Sequence, residues 1–146
     1  MSSNLHIKEA GFELELTLVP WDSDVYGFSV GQIKHIRVSS LAQAVVSLGA
    51  LHDWIASHDV RMISCRLPHI DLESSFFLEQ QGFRFIEMVL HPVNDNLKAL
   101  RLPAPELQIS EARDEDIDQM QVIAQTCFSY ERFHMDPRLN TKLANL

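Results

Sequence analysis

Eight residues near the start of the chain, FELELTLV from Phe12 to Val19, alternate apolar and polar side chains almost without a break. A period of two does not suit a helix. It predicts a strand with Phe12, Leu14, Leu16 and Leu18 on one face and Glu13, Glu15 and Thr17 on the other. Such a strand needs a sheet with one buried face and one wet face. Pro20 ends the pattern, and turn-rich PWDSDVYG leads to a second predicted strand, FSVGQIKHIRV, from Phe28. Gly31 inside that strand predicts a bulge or a close backbone approach. Trp21, Tyr26 and Phe28 are expected to pack in a core.

Ser40 is a helix cap for a segment whose apolar row at helical spacing is Leu41, Val45, Leu48, His52 and Ile55. VRMISCRL (60–67) reads as a central strand closed by Pro68. Asp71 caps a short helix, Gly82 stands where a left-handed C-terminal residue is wanted, and FRFIEMVLHPV from Phe83 reads as the next strand. Together these make a strand–helix–strand unit, normally a right-handed crossover. His52 and His69 read as a helix-face residue and a turn residue. Asn, Asp and two prolines between 94 and 106 mark a linker. LQISEA then predicts a short strand, followed by a helix from about Asp114. Three acids open that helix, where its dipole favours them, and Ile117, Met120, Ala124, Cys127 and Phe128 form its apolar stripe.

Composition excludes several partners. Twenty acidic residues against twelve basic give a net charge of −8 over 146 residues. No Lys/Arg run suits nucleic acid, and an anionic membrane surface would repel the chain. No apolar stretch approaches transmembrane length. MSSNLHIKEAGF has neither the basic start nor the apolar core of a signal peptide, so cytoplasm is the expected compartment. Cys65 and Cys127 form no CxxC pair, no metal site is expected, and both cysteines read as small buried hydrophobes.

Three stretches carry a family resemblance. LESSFFLEQQGFRFIEM resembles the closing helix–strand of the GNAT N-acetyltransferase superfamily. WDSDVYGFSVGQI is similar to the opening of its two-domain members of the dTDP-fucosamine acetyltransferase type. ISEARDEDIDQMQVIAQTCFSYERFHMDPRL resembles the start of their catalytic domain. The resemblance covers nearly the whole chain but only the front part of the family's length. It implies an α/β fold with a mixed sheet: a half-GNAT-like domain over 1–93, a linker over 94–106, and the first strand and helices of an incomplete GNAT domain over 107–146. It also implies acetyl-CoA as co-substrate and an amine acceptor, such as a nucleotide-linked deoxyamino sugar.

In such enzymes an Arg/Gln-x-x-Gly-x-Gly/Ala loop at a helix N-terminus holds the pyrophosphate of acetyl-CoA on backbone amides. The five glycines here are Gly11, Gly27, Gly31, Gly49 and Gly82, and no two form a GxG. The chain alone is therefore not expected to catalyse acyl transfer. An engineered truncation, a coding fragment and a natural stand-alone module all remain open, and the abrupt end after KLANL favours a fragment. The alternative function is a non-catalytic interaction or dimerisation module.

Alternation in FRFIEMVLH puts Phe83, Phe85, Glu87, Val89 and His91 on one face. A carboxylate in such company is desolvated, as suits a general base for an ammonium substrate. The family resemblance places Arg132, Phe133 and His134 near the acceptor, with Arg132 as partner for a nucleotide phosphate. His134 and Asp136 read as structural in preference to metal-ligating. The stripe from Ile117 to Phe128 needs a sheet to cover it, either the first domain's or that of a second copy; the homodimer is the favoured expectation.

Overall fold

The computed structural model describes residues 3–93, 95–96, 109–127, 132–140 and 142–143. The chain divides into two compact units, Met1–Arg84 and Phe85–Leu146.

The first unit is a four-stranded mixed sheet in the order β1-β2-β3-β4. The FELELTLV pattern forms β2 (Phe12–Leu18), with Phe12, Leu14 and Leu16 at 1%, 2% and 0% exposure. It pairs antiparallel with β1 (Asn4–Glu9) on one side and β3 (Ser29–Val38) on the other. β1 was not expected from sequence, because Leu5 and Ile7 are its only apolar residues. The wet face of the sheet is ordered by charge. Glu15 stands opposite His6 and His35, and Glu13 opposite Lys8 and Arg37. Opposite-sign neighbours such as Glu13 with Lys8 and Arg37 favour one register over its slips.

PWDSDVY is not a turn. It forms α1 (Pro20–Tyr26), with Pro20 in the first helical turn, where its missing N–H is not needed. Ser23 ties this helix down: its hydroxyl donates to the Val19 carbonyl (2.7 Å) and accepts from Val30 N–H (2.9 Å). Trp21 does not join the core and is 78% exposed. Tyr26 and Phe28 stack on each other, centroids 5.7 Å apart.

α2 (Leu41–Ser57) starts at Ser40, whose side chain accepts from Gln43 N–H (3.4 Å). It carries the chain to β4 (Val60–Cys65), which pairs parallel with β3. The buried face of α2 is Ala44, Ser47, Leu51 and Trp54. The row expected from sequence lies beside it: Leu41, Val45 and His52 are exposed, and Leu48 and Ile55 only flank the core. Small residues at 44 and 47 let the helix approach the sheet, and Ser47 bonds Glu9 of β1 at 3.0 Å. The first half of that face, Ala44 and Ser47, carries no large apolar side chain, and Leu51 and Trp54 complete it.

α3 (Leu72–Gln80) is capped by Asp71, which accepts from Ser74 N–H (3.2 Å). Its end is a Schellman motif. Gly82 N–H donates to Glu79 O and Phe83 N–H to Leu78 O, both at 3.0 Å, with Gly82 at φ 88°. Phe83 packs against the cluster that holds Leu78. α2 and α3 bury their apolar residues in one cluster with the dry face of β2. Gly82→Val should therefore cost more than about 1 kcal/mol, since a β-branched residue is strained at that φ. Coincident urea melts of the two proteins would contradict this assignment.

One expected strand does not form, and the described part of a second forms none. Residues 83–93 join no ladder, and Phe85, Leu90 and Val93 are 75%, 79% and 79% exposed. β-rich sequence becomes a strand only where another strand takes up its peptide groups. Of LQISEA, Leu107 and Gln108 lie outside the described residues, and 109–112 form no strand. In the second unit, Arg113 N–H donates to the Asp116 carboxylate (2.9 Å) and opens a 3₁₀ turn, Asp114–Asp116. The turn runs into α4 (Ile117–Cys127), and α5 (Arg132–Met135) follows. The described stripe of α4 is open: Ile117 is 47% and Met120 51% exposed, and Ala124 and Cys127 are exposed as well. Phe128 lies outside the described residues.

Candidate functional site

β3 and β4 run side by side only as far as Ile33 and Cys65, the last pair of their parallel ladder. Past that point β3 continues to Val38 on its bond to β2, while the chain leaving β4 turns at Pro68 and His69 toward the cap of α3. A bulge between Glu15 and Leu16, opposite Lys34, adds local twist there. The two strands part and leave a cleft of about 430 Å³ at their C-terminal ends.

The cleft wall combines apolar floor with charge. Ile33 and Ile36 come from β3, and Leu67 from the turn. Lys34, Arg37 and Arg66 bring positive charge, and Asp71 brings negative charge. Lys34 Nζ donates to Gln32 Oε1, a neutral acceptor. His35 Nε2 lies 3.6 Å from Glu13 Oε2. Cys65 faces this cleft. Burial, and secondly the charge of Asp71, push its thiol up to about 11, so it stays protonated through the neutral range. It is half-buried, and Cys127 is exposed, so the expectation of two buried cysteines fails for Cys127. Cys127 lies at the end of the uncovered stripe of α4.

The residues singled out from sequence belong to the second unit. Glu87 sits half-buried in the non-strand segment after Gly82. The dry face expected around it does not form: alternation brings neighbours together only within a ladder, and here Phe85 and Val89 are 75% and 49% exposed. Arg132, Phe133 and His134 share the single turn of α5, with Phe133 and His134 half-buried. Just beyond it, Asp136 is 5% exposed and accepts from Arg138 three times: from the backbone N–H (3.0 Å), Nε (2.8 Å) and Nη2 (2.6 Å). The Arg138 side-chain hydrogen bond holds the Asp136 carboxyl below the ordinary carboxylate range. Both of its oxygens are engaged by a guanidinium, so its role is to fix the turn after α5.

Lys34, Arg37 and Arg66 stand outside the motifs that the sequence presents. The available signal was polar, basic residues at the C-terminal ends of two apolar strands, KHIR at 34–37 and CR at 65–66. Comparison with known protein families, curated proteins and solved structures gives no significant match.

Proposed function

We propose that this chain is the front portion of a GNAT-type N-acetyltransferase, which moves acetyl from acetyl-CoA to an amine on a nucleotide-linked deoxyamino sugar. The observation that carries the reading is the order of the first unit. An antiparallel pair leads into a parallel β3–α2–β4 crossover whose strands part, and α3 follows and ends at Gly82-Phe83. The stretches around Trp21, Gly82 and Arg132 supply the sequence side of the resemblance.

In the proposed reaction Glu87 takes a proton from the acceptor ammonium. The freed amine attacks the thioester carbonyl, a C–N bond forms, the C–S bond breaks, and the coenzyme leaves as its thiol after taking up a proton. Arg132, Phe133 and His134 flank the acceptor, with Arg132 toward its phosphate. Residues 1–146 hold no glycine loop for the pyrophosphate of the coenzyme. Calorimetric titration of this chain with acetyl-CoA should accordingly show no affinity at micromolar concentration. A polypeptide continued through the downstream reading frame should transfer acetyl, and Glu87→Gln in it should lower kcat by about 10²–10⁴. Micromolar acetyl-CoA binding by residues 1–146, or full activity in the Glu87→Gln enzyme, would overturn the reading.

The second reading, a pairing module, is favoured by one observation: the open stripe of α4. A stop codon directly after Leu146, together with dimerisation in a light-scattering concentration series, would support it over the first.

A further inference from the structure

Up to Arg84 the chain carries six Lys and Arg side chains: Lys8, Lys34, Arg37, Arg61, Arg66 and Arg84. Three of them, Lys34, Arg37 and Arg66, line the cleft where β3 and β4 part. In a protein of net charge −8 this is a local reversal of sign, three cations against the one carboxylate of Asp71, and a cleft of net positive charge concentrates counter-ions. Surface cations commonly sit beside carboxylates, as Arg61 does beside Asp59 at 3.6 Å. Among the described residues, no carboxylate lies within ion-pair distance of Arg37, Arg66 or Lys34.

Two carboxylates offset part of this charge: Asp71 in the cleft wall, and Glu13, which stands opposite Arg37 in the β2–β3 ladder. Asp71, the acid of the cleft wall, caps α3 through Ser74 N–H. Cys65 stays a neutral thiol. Past Ile33 the β4-facing peptide groups of β3 have no strand partner among the described residues, so backbone donors border the same space.

We propose that this cleft binds a small phosphorylated anion of diphosphate size. Arg37 and Arg66 hold the phosphoryl oxygens, and Lys34 supplies a third charge. Guanidinium groups match phosphate oxygens through paired N–H donors, whereas an ammonium acts as a point charge. A ligand with a single carboxylate could engage one of the three cations closely, whereas a diphosphate has oxygens for each. The cleft, about 430 Å³, falls within the range of roughly 300–1,000 Å³ typical of small-molecule sites. The proposal needs no thioester and no acyl acceptor, and it stands or falls apart from acyl transfer.

The test titrates the full chain with inorganic pyrophosphate at low ionic strength, read by calorimetry and by amide NMR shifts. Saturable binding is expected with a dissociation constant below about 1 mM, and with shifts centred on residues 34–37 and 65–68. Arg37→Gln and Arg66→Gln should each weaken it by at least about tenfold, as loss of a charged phosphate contact does. Both side chains are exposed, and amide dispersion verifies that the variants fold. Arg61→Gln, outside the cleft, should change it by less than about twofold. Uridine diphosphate binding more tightly than pyrophosphate identifies a nucleotide as the ligand, and equal affinity identifies the bare diphosphate. Pyrophosphate should also slow alkylation of Cys65 in the cleft wall while Cys127, on α4, reacts at its unliganded rate. No saturable shift up to about 10 mM pyrophosphate, or equal weakening by Arg61→Gln and Arg66→Gln, would overturn the proposal.

Discussion

Phe12→Ala is expected to lower the stability of the first unit by about 3–5 kcal/mol, the usual cost of deleting a buried aromatic side chain. Phe12 is 1% exposed, and its ring centroid lies 5.4 Å from that of Phe77 at an interplanar angle of 59°. Tilted aromatic pairs contribute beyond their buried area. The residue also stands at the crossing of two ladders, opposite Glu9 on β1 and Val38 on β3. A cavity there lies between the sheet and α3, and neither can close it without breaking strand register. Small domains have about 5–15 kcal/mol in total, so the alanine variant is expected to be partly unfolded at 37 °C. Phe12→Leu retains most of the volume and should cost less, which keeps the comparison measurable. Urea melts followed by far-UV circular dichroism are the check. A midpoint for Phe12→Ala within experimental error of the parent would show that Phe12 and Phe77 do not hold the sheet to α3.

Legibility in the sequence followed the range of the interactions involved. The alternation of β2, the Ser40 and Asp71 caps and the left-handed Gly82 all depend on residues within a few positions, and each appears where the sequence placed it. Elements whose existence depends on a distant partner were misread. β1 is a strand because β2 offers it a ladder, although its own sequence is mostly polar. Residues 83–93 have strong strand propensity and no ladder. The face of α2 was misjudged for a related reason: packing against a sheet selects the row that can come close, and Ala44 and Ser47 come closer than Leu41 and Val45. The same logic explains the site. Glu87 stands in an alternation that groups side chains only within a strand. The cleft with Lys34, Arg37 and Arg66 exists because two strands of unequal length run parallel and then part, which no single segment encodes.

Gly11→Ala is expected to cost about 2–4 kcal/mol, from two separable causes. The first is conformational: Gly11 has φ 90°, a backbone state that L residues rarely adopt. The second is collision, because a Cβ at Gly11 would lie 2.7 Å from Ser40 Cβ. The two residues are held together by the Gly11 carbonyl, which accepts from Ser39 N–H (2.9 Å) and Ser40 N–H (3.0 Å). Through these bonds the β1–β2 turn fixes where α2 begins. Gly82 provides the contrast, since it has a similar φ but nothing within 4 Å of its added Cβ. Gly82→Ala should thus show the conformational cost alone and be the milder change. Ser40→Gly removes the opposing atom and, as glycine is a tolerable cap, should itself cost only a few tenths of a kcal/mol. The double variant Gly11→Ala with Ser40→Gly should then recover about 1 kcal/mol or more of what Gly11→Ala loses, a coupling of the size expected for residues in contact. A double-mutant cycle from urea melts measures it. Additive costs, or Gly82→Ala as damaging as Gly11→Ala, would mean that the hairpin does not press against the start of α2, and would remove the link between the first turn of the sheet and the crossover helix that leads to the cleft.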